Sequence, residues 1–297
     1  MLLQGVIVTY QSWRVIFWLQ SALAGLAFVL VAFFIPETIP RKSIEDLVDL
    51  STVQKTRAIC QRMNPLRVIV LLFEYPNLFF AAVASAALVW NQYSLLTPIR
   101  YVLNPRFNLT TPMESGLFYL APGCGYMFGT LFGGRYADYV VRKWIRKRDG
   151  VRVAEDRLKS CLIFVSIIIP AWILIYGWTV DKAVGGIPVP VIAMFLQGVA
   201  QLFCFPSLNT YCLDVMQSKG RSAEVVAGNY MLRYAFGALG TGVVLPAIEA
   251  MGVGWFSVIS AAFLVVSGLL VWLTTIFGAD WRQRVDEKRS RKIANEI

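Results

Sequence analysis

Gly134, Asp138, Arg142 and Lys143 stand in the order Gly-x-x-x-Asp-x-x-x-Arg-Lys. Their types suit a conformational contact better than a reaction. A carboxylate one helical turn before a guanidinium can pair with it along one face. The same carboxylate can instead accept hydrogen bonds from the N-terminus of a neighbouring helix. Arg233 offers a second chemistry, as the only ionisable residue deep in an apolar run. A charge there costs ~2.5–3.5 kcal/mol even on lenient scales, which makes it a candidate site. It can meet a polar or anionic substrate group, a carboxylate elsewhere, or backbone carbonyls.

The third chemistry is that of amides and phenols inside apolar segments: Asn91, Gln92, Tyr93, Tyr119, Tyr126, Gln197, Gln201, Asn229 and Tyr230. In lipid such groups must find partners across helices or in a wet cavity. Gln197 and Gln201 are four apart and share a helix face. The set suits recognition of amphipathic molecules, and equally suits bonds that join helices.

Several chemistries are excluded or disfavoured. The chain has no histidine, so no His-based metal site, proton relay or catalytic triad exists in it. Cys60, Cys124, Cys161, Cys204 and Cys212 show no CxxC spacing and an odd count, which argues against a disulfide framework. Paired intramembrane carboxylates and a serine-nucleophile motif are also missing, so no enzyme, metal or cofactor is expected. Glu74, Glu114, Asp138, Asp214, Glu224 and Glu249 all lie at span ends, which leaves no central proton carrier.

The elements that must position these residues are apolar spans. The 297 residues are 57% hydrophobic and 15% charged, with a mean hydropathy of +0.59. A soluble chain would carry about 25% charged residues. The apolar excess gathers into runs of the ~20 residues that a helix needs to cross a bilayer. The expected spans are 15–35, 77–99, 115–137, 158–178, 188–213, 222–248 and 254–277, after a short apolar stub at 1–10. Gly125, Gly129 and Gly133 in the third span, and Gly237, Gly240 and Gly242 in the sixth, read as packing positions. Pro98, Pro122, Pro170, Pro206 and Pro246 are kink candidates. A weakly amphipathic surface helix is expected around Ile44, Leu47, Val48 and Leu50.

Orientation follows from the basic residues. Of the 28 Lys and Arg, twenty-two lie in 41–67, 142–159, 214–221 and the tail from 278. Three lie in the loops between, which predicts a cytoplasmic C-terminus. Asn108, in the sequon Asn108-Leu109-Thr110, then faces outside as a glycosylation candidate. The net charge of +10 sits in short loops between spans, so nucleic acid is not an expected partner.

These motifs carry a family resemblance. Trp13-Arg14-x-Ile16-Phe17-Trp18, an apolar span and Pro36-Glu37-Thr38 resemble the sixth helix of fungal major facilitator superfamily transporters. The stretch from Gly134 to Lys143 resembles that superfamily's cytoplasmic motif, in its copy between helices eight and nine. The stretch Asn104 to Leu109, through Glu155-Asp156-Arg157-Leu158, is similar to the drug:proton antiporter branch, closest to its quinidine-resistance and dityrosine-exporter group. The resemblance covers essentially the whole chain.

It implies an all-α integral membrane protein with the major facilitator fold, reduced to helix six and the second half, about seven transmembrane helices. Residues 1–36 would be the end of helix five and helix six, 37–67 the central cytoplasmic loop, 68–277 a six-helix bundle and 278–297 a basic cytoplasmic tail. Gly134, Asp138, Arg142 and Lys143 would be a conformational latch, with its partner at the start of helix five. The bland alternative is a surface pair contributing ~0.3–0.5 kcal/mol. The implied activity is proton-coupled export of drugs or amphipathic metabolites at the plasma membrane. The implied partners are the lipid bilayer, a small amphipathic substrate and protons. An incomplete chain would be inactive by itself. A seven-helix receptor is the competing topology.

Overall fold

The computed structural model describes residues 7–8, 10–36, 65–109 and 112–296. The expected surface helix around Ile44 to Leu50 lies outside them. The principal helices are α1 (Arg14–Phe34), α2 (Pro65–Glu74), α3 (Pro76–Arg106), α4 (Pro112–Phe118), α5 (Leu120–Lys147), α6 (Ala154–Lys182), α7 (Pro188–Gln217) and α8 (Ser222–Glu296). Five of them, α1, α3, α6, α7 and α8, are long and apolar enough to cross a membrane. At 28 residues α5 is also long enough, but its glycines and charged end make it more polar.

Gly252 divides α8 into two passes. Its φ of 84° and ψ of 163° are non-helical. That backbone region is essentially restricted to glycine. A Cβ there would also lie 3.0 Å from Asp181 Oδ1. With α8 taken as two arms and α5 beside α7, the seven expected passes are all helical.

Prolines reshape two helices without ending them. A π-helical turn at Ile99–Leu103 precedes Pro105, and another at Phe164–Ile168 precedes Pro170. Each turn begins six residues before its proline. A proline ring clashes with the carbonyl four residues back. Those carbonyls belong to Tyr101 and Ser166, in the middle of each π turn, where the wider winding accommodates the ring. Pro170 was expected to kink its span; the structure gives a local π bulge.

The most extensive helix contacts are α3 with α8 and α5 with α7. Hydrophobicity does not drive such contacts in lipid, where tails are as apolar as leucine; close packing does. Small residues supply it. Ala81, Ala82, Ala84, Ala86 and Ala87 of α3 are fully buried. Gly237 of α8 sits against Tyr93 and Val89, where a Cβ would fall 3.0 Å from the tyrosine ring. Gly125, Gly129 and Gly133 of α5 meet the α7 backbone at Phe195, Val199 and Leu202.

Buried apolar residues form two clusters. One gathers Leu71, Leu78, Leu158, Cys161, Tyr211 and Met216 near the basic end. The other gathers Leu95, Ile99, Phe118, Tyr176, Met194 and Val253 toward the opposite end. Among the described residues nothing buries any part of α1, which exposes Phe17, Trp18, Phe28, Phe33 and Phe34.

The basic tail is part of the packed structure. The helix of α8 runs on through it. Trp281 packs edge-on against Phe80 of α3 at 5.5 Å. Asp286 accepts a 2.7 Å hydrogen bond from the Tyr75 hydroxyl and pairs with Lys219.

Candidate functional site

The polar residues inside the spans assemble on α7. Gln197, Gln201, Phe205 and Asn209 recur every four residues and share one face of that 30-residue helix. Gln201 is the hub of a first cluster. Its Nε2 donates to Gln92 Oε1 at 3.2 Å and to the Leu88 carbonyl at 3.3 Å, both on α3. Its Oε1 accepts from the Tyr126 hydroxyl of α5 at 3.4 Å. One amide thus ties α3, α5 and α7 together. Tyr93 packs beside this cluster against Gly237 and Gly240 of α8. Asn91 and Gln197 are buried, and none of their side-chain nitrogens and oxygens has a hydrogen-bond partner among the described residues.

The second cluster surrounds Arg233, which is 8% exposed. Asn209 Oδ1 accepts from Arg233 Nη2 at 3.1 Å and from Asn229 Nδ2 at 3.0 Å. Two donors converging on one atom fix the orientation of the Asn209 amide. The Phe205 and Tyr230 rings lie 4.2 and 4.8 Å from the guanidinium carbon. Tyr230 stacks on Tyr234 with ring centroids 6.1 Å apart. Asn209 and Phe205 were not singled out as candidates; their spacing from Gln201 was the signal that could have found them.

Tyr119 stands apart from both clusters. Its hydroxyl donates to the Leu96 carbonyl at 3.3 Å, while Tyr176 donates to the neighbouring Leu95 carbonyl at 3.4 Å. Asn108 is exposed, with a left-handed φ of 54°; its sequon partner Thr110 lies outside the described residues.

At the basic end, Asp138, Arg142 and Lys143 are exposed on α5 and Gly134 faces open space. Asp138 does not pair with Arg142, as the four-residue spacing suggested. Its ion partner is Arg157, at 4.0 Å. Arg157 lies closer still to Asp214 of α7, at 2.8 Å, and draws the two helices together. Together with Arg135, Tyr139 and Arg146, the residues Asp138, Arg142 and Lys143 line an open basin of about 580 Å³.

The buried charges lie beside this motif. Asp156 is fully buried and accepts from Arg148 at 2.6 Å and Lys159 at 2.9 Å. Lys159 also sits 3.4 Å over the Trp144 ring. Glu155 is 3% exposed, with Arg282 of the tail 3.2 Å away but not aligned for a hydrogen bond. Partial burial pushes the Asp286 carboxyl up. Hydrogen bonds from Lys219 and Tyr75, with the Lys219 and Arg282 charges, outweigh that and hold it below its ordinary value.

The described residues contain no group of histidines, cysteines and carboxylates able to hold a metal. The helices, glycine contacts and motif agree with one family, whose sequence profile matches residues 1–241 under the description Major Facilitator Superfamily. The chain belongs to the Major Facilitator Superfamily.

Three fungal members of the superfamily are among its relatives. Quinidine resistance protein 3 of Saccharomyces cerevisiae is 28% identical over 215 residues, covering 72% of this chain and 30% of that protein. The MFS antiporter QDR3 of Candida albicans is 28% identical over 235 residues, covering 78% and 33%. The MFS-type transporter phiL of a fungal species is 26% identical over 322 residues, covering 91% and 73%. The chain therefore spans about a third of the length of the first two relatives. The names match the resemblance read from the motifs, and superfamily membership displaces the seven-helix receptor alternative.

Proposed function

We propose that the chain forms the second-half bundle of a transporter that exports small amphipathic molecules, drugs or metabolites, in exchange for protons. The observation that carries this reading is the Tyr126–Gln201–Gln92 hydrogen-bonded chain across α5, α7 and α3, in a superfamily member. Superfamily transporters place substrate near the bilayer midplane, between halves that rock against one another. The amides and tyrosines of α3, α5, α7 and α8 are the proposed cavity lining. Gly134, Asp138, Arg142 and Lys143 are the proposed latch at the cytoplasmic end. Asp138 suits that role because its side chain is 56% exposed and its bond to Arg157 is long.

The proposal places the protein in the plasma membrane with its C-terminus in the cytoplasm, following the basic loops. It assigns proton coupling to groups outside the described residues, since the buried carboxylates Glu155 and Asp156 lie at the basic end. The test is binding and flux with the purified chain in phosphatidylcholine nanodiscs and proteoliposomes. Rhodamine 6G is expected to bind saturably, and Gln201→Ala, which frees Gln92 and Tyr126 from their shared partner, to weaken it by about threefold or more. Absence of saturable binding refutes the cavity. Uptake driven by a pH gradient with this chain alone refutes the placement of the proton carrier.

A further inference from the structure

Arg233 is a buried cation whose hydrogen-bonding capacity is only partly used. A guanidinium presents a planar fork of N–H donors, of which Nη2 donates to Asn209 and one reaches Tyr230. Nε is buried without a partner. No carboxylate pairs with Arg233 among the described residues. The Phe205 and Tyr230 rings favour the charge, and the Tyr230 side chain also takes one of its hydrogen bonds. Its acceptor on α7, Asn209 Oδ1, is shared with Asn229. With that oxygen committed to two donors, the Nδ2 end of Asn209 is a further donor. The site holds the unpartnered donor Arg233 Nε, one unpartnered acceptor, Asn229 Oδ1, and a net positive charge, beside the Tyr230–Tyr234 shelf on which Tyr234 is 66% exposed.

We infer that Arg233 and Asn209 bind the carboxylate of an aromatic organic acid, whose ring stacks on Tyr230 and Tyr234. The inference rests on reading this face as a substrate surface and adds the chemical class. A carboxylate suits the in-plane donors of arginine, which it can engage bidentately. The neighbouring tyrosines supply flat apolar area with polar edges. A neutral or cationic analogue leaves the buried guanidinium without its anion, and that difference is the source of selectivity.

The test uses three compounds with the same ring: 1-naphthylacetate, 1-naphthylacetamide and 2-(1-naphthyl)ethylamine. Binding is measured by equilibrium dialysis with the 297-residue chain in phosphatidylcholine nanodiscs, against empty discs. The acetate is expected to bind about tenfold or more tightly than the acetamide, with the amine weakest. Arg233→Gln should reduce the acetate to the level of the acetamide, and Arg233→Lys should keep part of the preference. Discs containing phosphatidylserine should leave the preference intact; its loss there assigns the site to a lipid headgroup and overturns the organic-acid reading. Equal binding of acetate and acetamide to the wild type overturns it, as does a preference that survives in Arg233→Gln. If Arg233→Gln loses its helical circular dichroism, the wild-type ratio and Arg233→Lys decide. Acetamide binding without acetate preference removes this inference alone. Binding of none of the three removes the cavity reading as well.

Discussion

Gly133 and Gly134 are adjacent, and their replacement by alanine should have different consequences. A Cβ at Gly133 would lie 2.7 Å from the Leu202 carbonyl oxygen and 3.2 Å from Phe203 Cα, both backbone atoms of α7. Neither atom can rotate away, so α5 and α7 must part by about half an ångström to restore ordinary contact. Overpacking of this kind costs ~1–3 kcal/mol. A Cβ at Gly134 meets nothing within 4 Å. Alanine is also the better helix former by ~0.8–1.0 kcal/mol. That gain applies at both positions and cancels in the comparison. The two variants should therefore differ by ~1–3 kcal/mol, with Gly134→Ala at or above wild type and Gly133→Ala below Gly134→Ala. Reversible unfolding in mixed dodecyl maltoside–SDS micelles, followed by helical circular dichroism, measures the gap. Equal stability of the two variants, or a more stable Gly133→Ala, refutes the close helix approach. Gly134→Ala also isolates the latch, because any loss of function in that variant cannot come from packing between α5 and α7.

Asp156→Asn should destabilise by ~1–3 kcal/mol, because it removes the buried carboxylate that accepts from the partly exposed Arg148 and Lys159, whereas Asp138→Asn should stay within ~0.5 kcal/mol of wild type; the same unfolding titration compares them. The Asp286 carboxyl is depressed when folded, so its stabilisation is full above the ordinary aspartate range near ~3.9 and is lost as pH falls through the lower folded value. The melting difference between wild type and Asp286→Asn should accordingly be constant from neutral pH to about pH 5 and close below pH 4; a difference unchanged at low pH contradicts the Lys219–Asp286–Tyr75 contact. In a Cys60→Ser background a coumarin maleimide should label exposed Cys124 in the folded protein and reach Cys161, Cys204 and Cys212 only on unfolding. Mass spectrometry reads the sites, and early labelling of Cys204 would contradict its burial.

Much of the fold was legible in the sequence because bilayer thickness sets the length of an apolar run. The spans, the proline positions and the glycine spacing of α5 followed from that constraint and from helix periodicity. The break at Gly252 was not legible in detail, since a glycine signals conformational freedom but not the backbone region it adopts. For the candidate site, residue types were readable and partnerships were not. Gln201 and Gln92 are 109 positions apart, and only the packing of α3 on α7 shows that they bond to each other rather than to lipid-facing neighbours. Asp138 stood out because of its motif, yet it is half exposed, while Asp156, outside that motif, is fully buried.

Composition and periodicity alone determined a membrane-embedded helical chain and its basic end, because each depends on local counts and spacings. Tertiary structure alone decided which of two neighbouring glycines touches another helix, which carboxylate is buried and which donors of Arg233 go unused. Adjacent residues point about 100° apart around a helix, so what each one meets is set by chain segments distant in sequence.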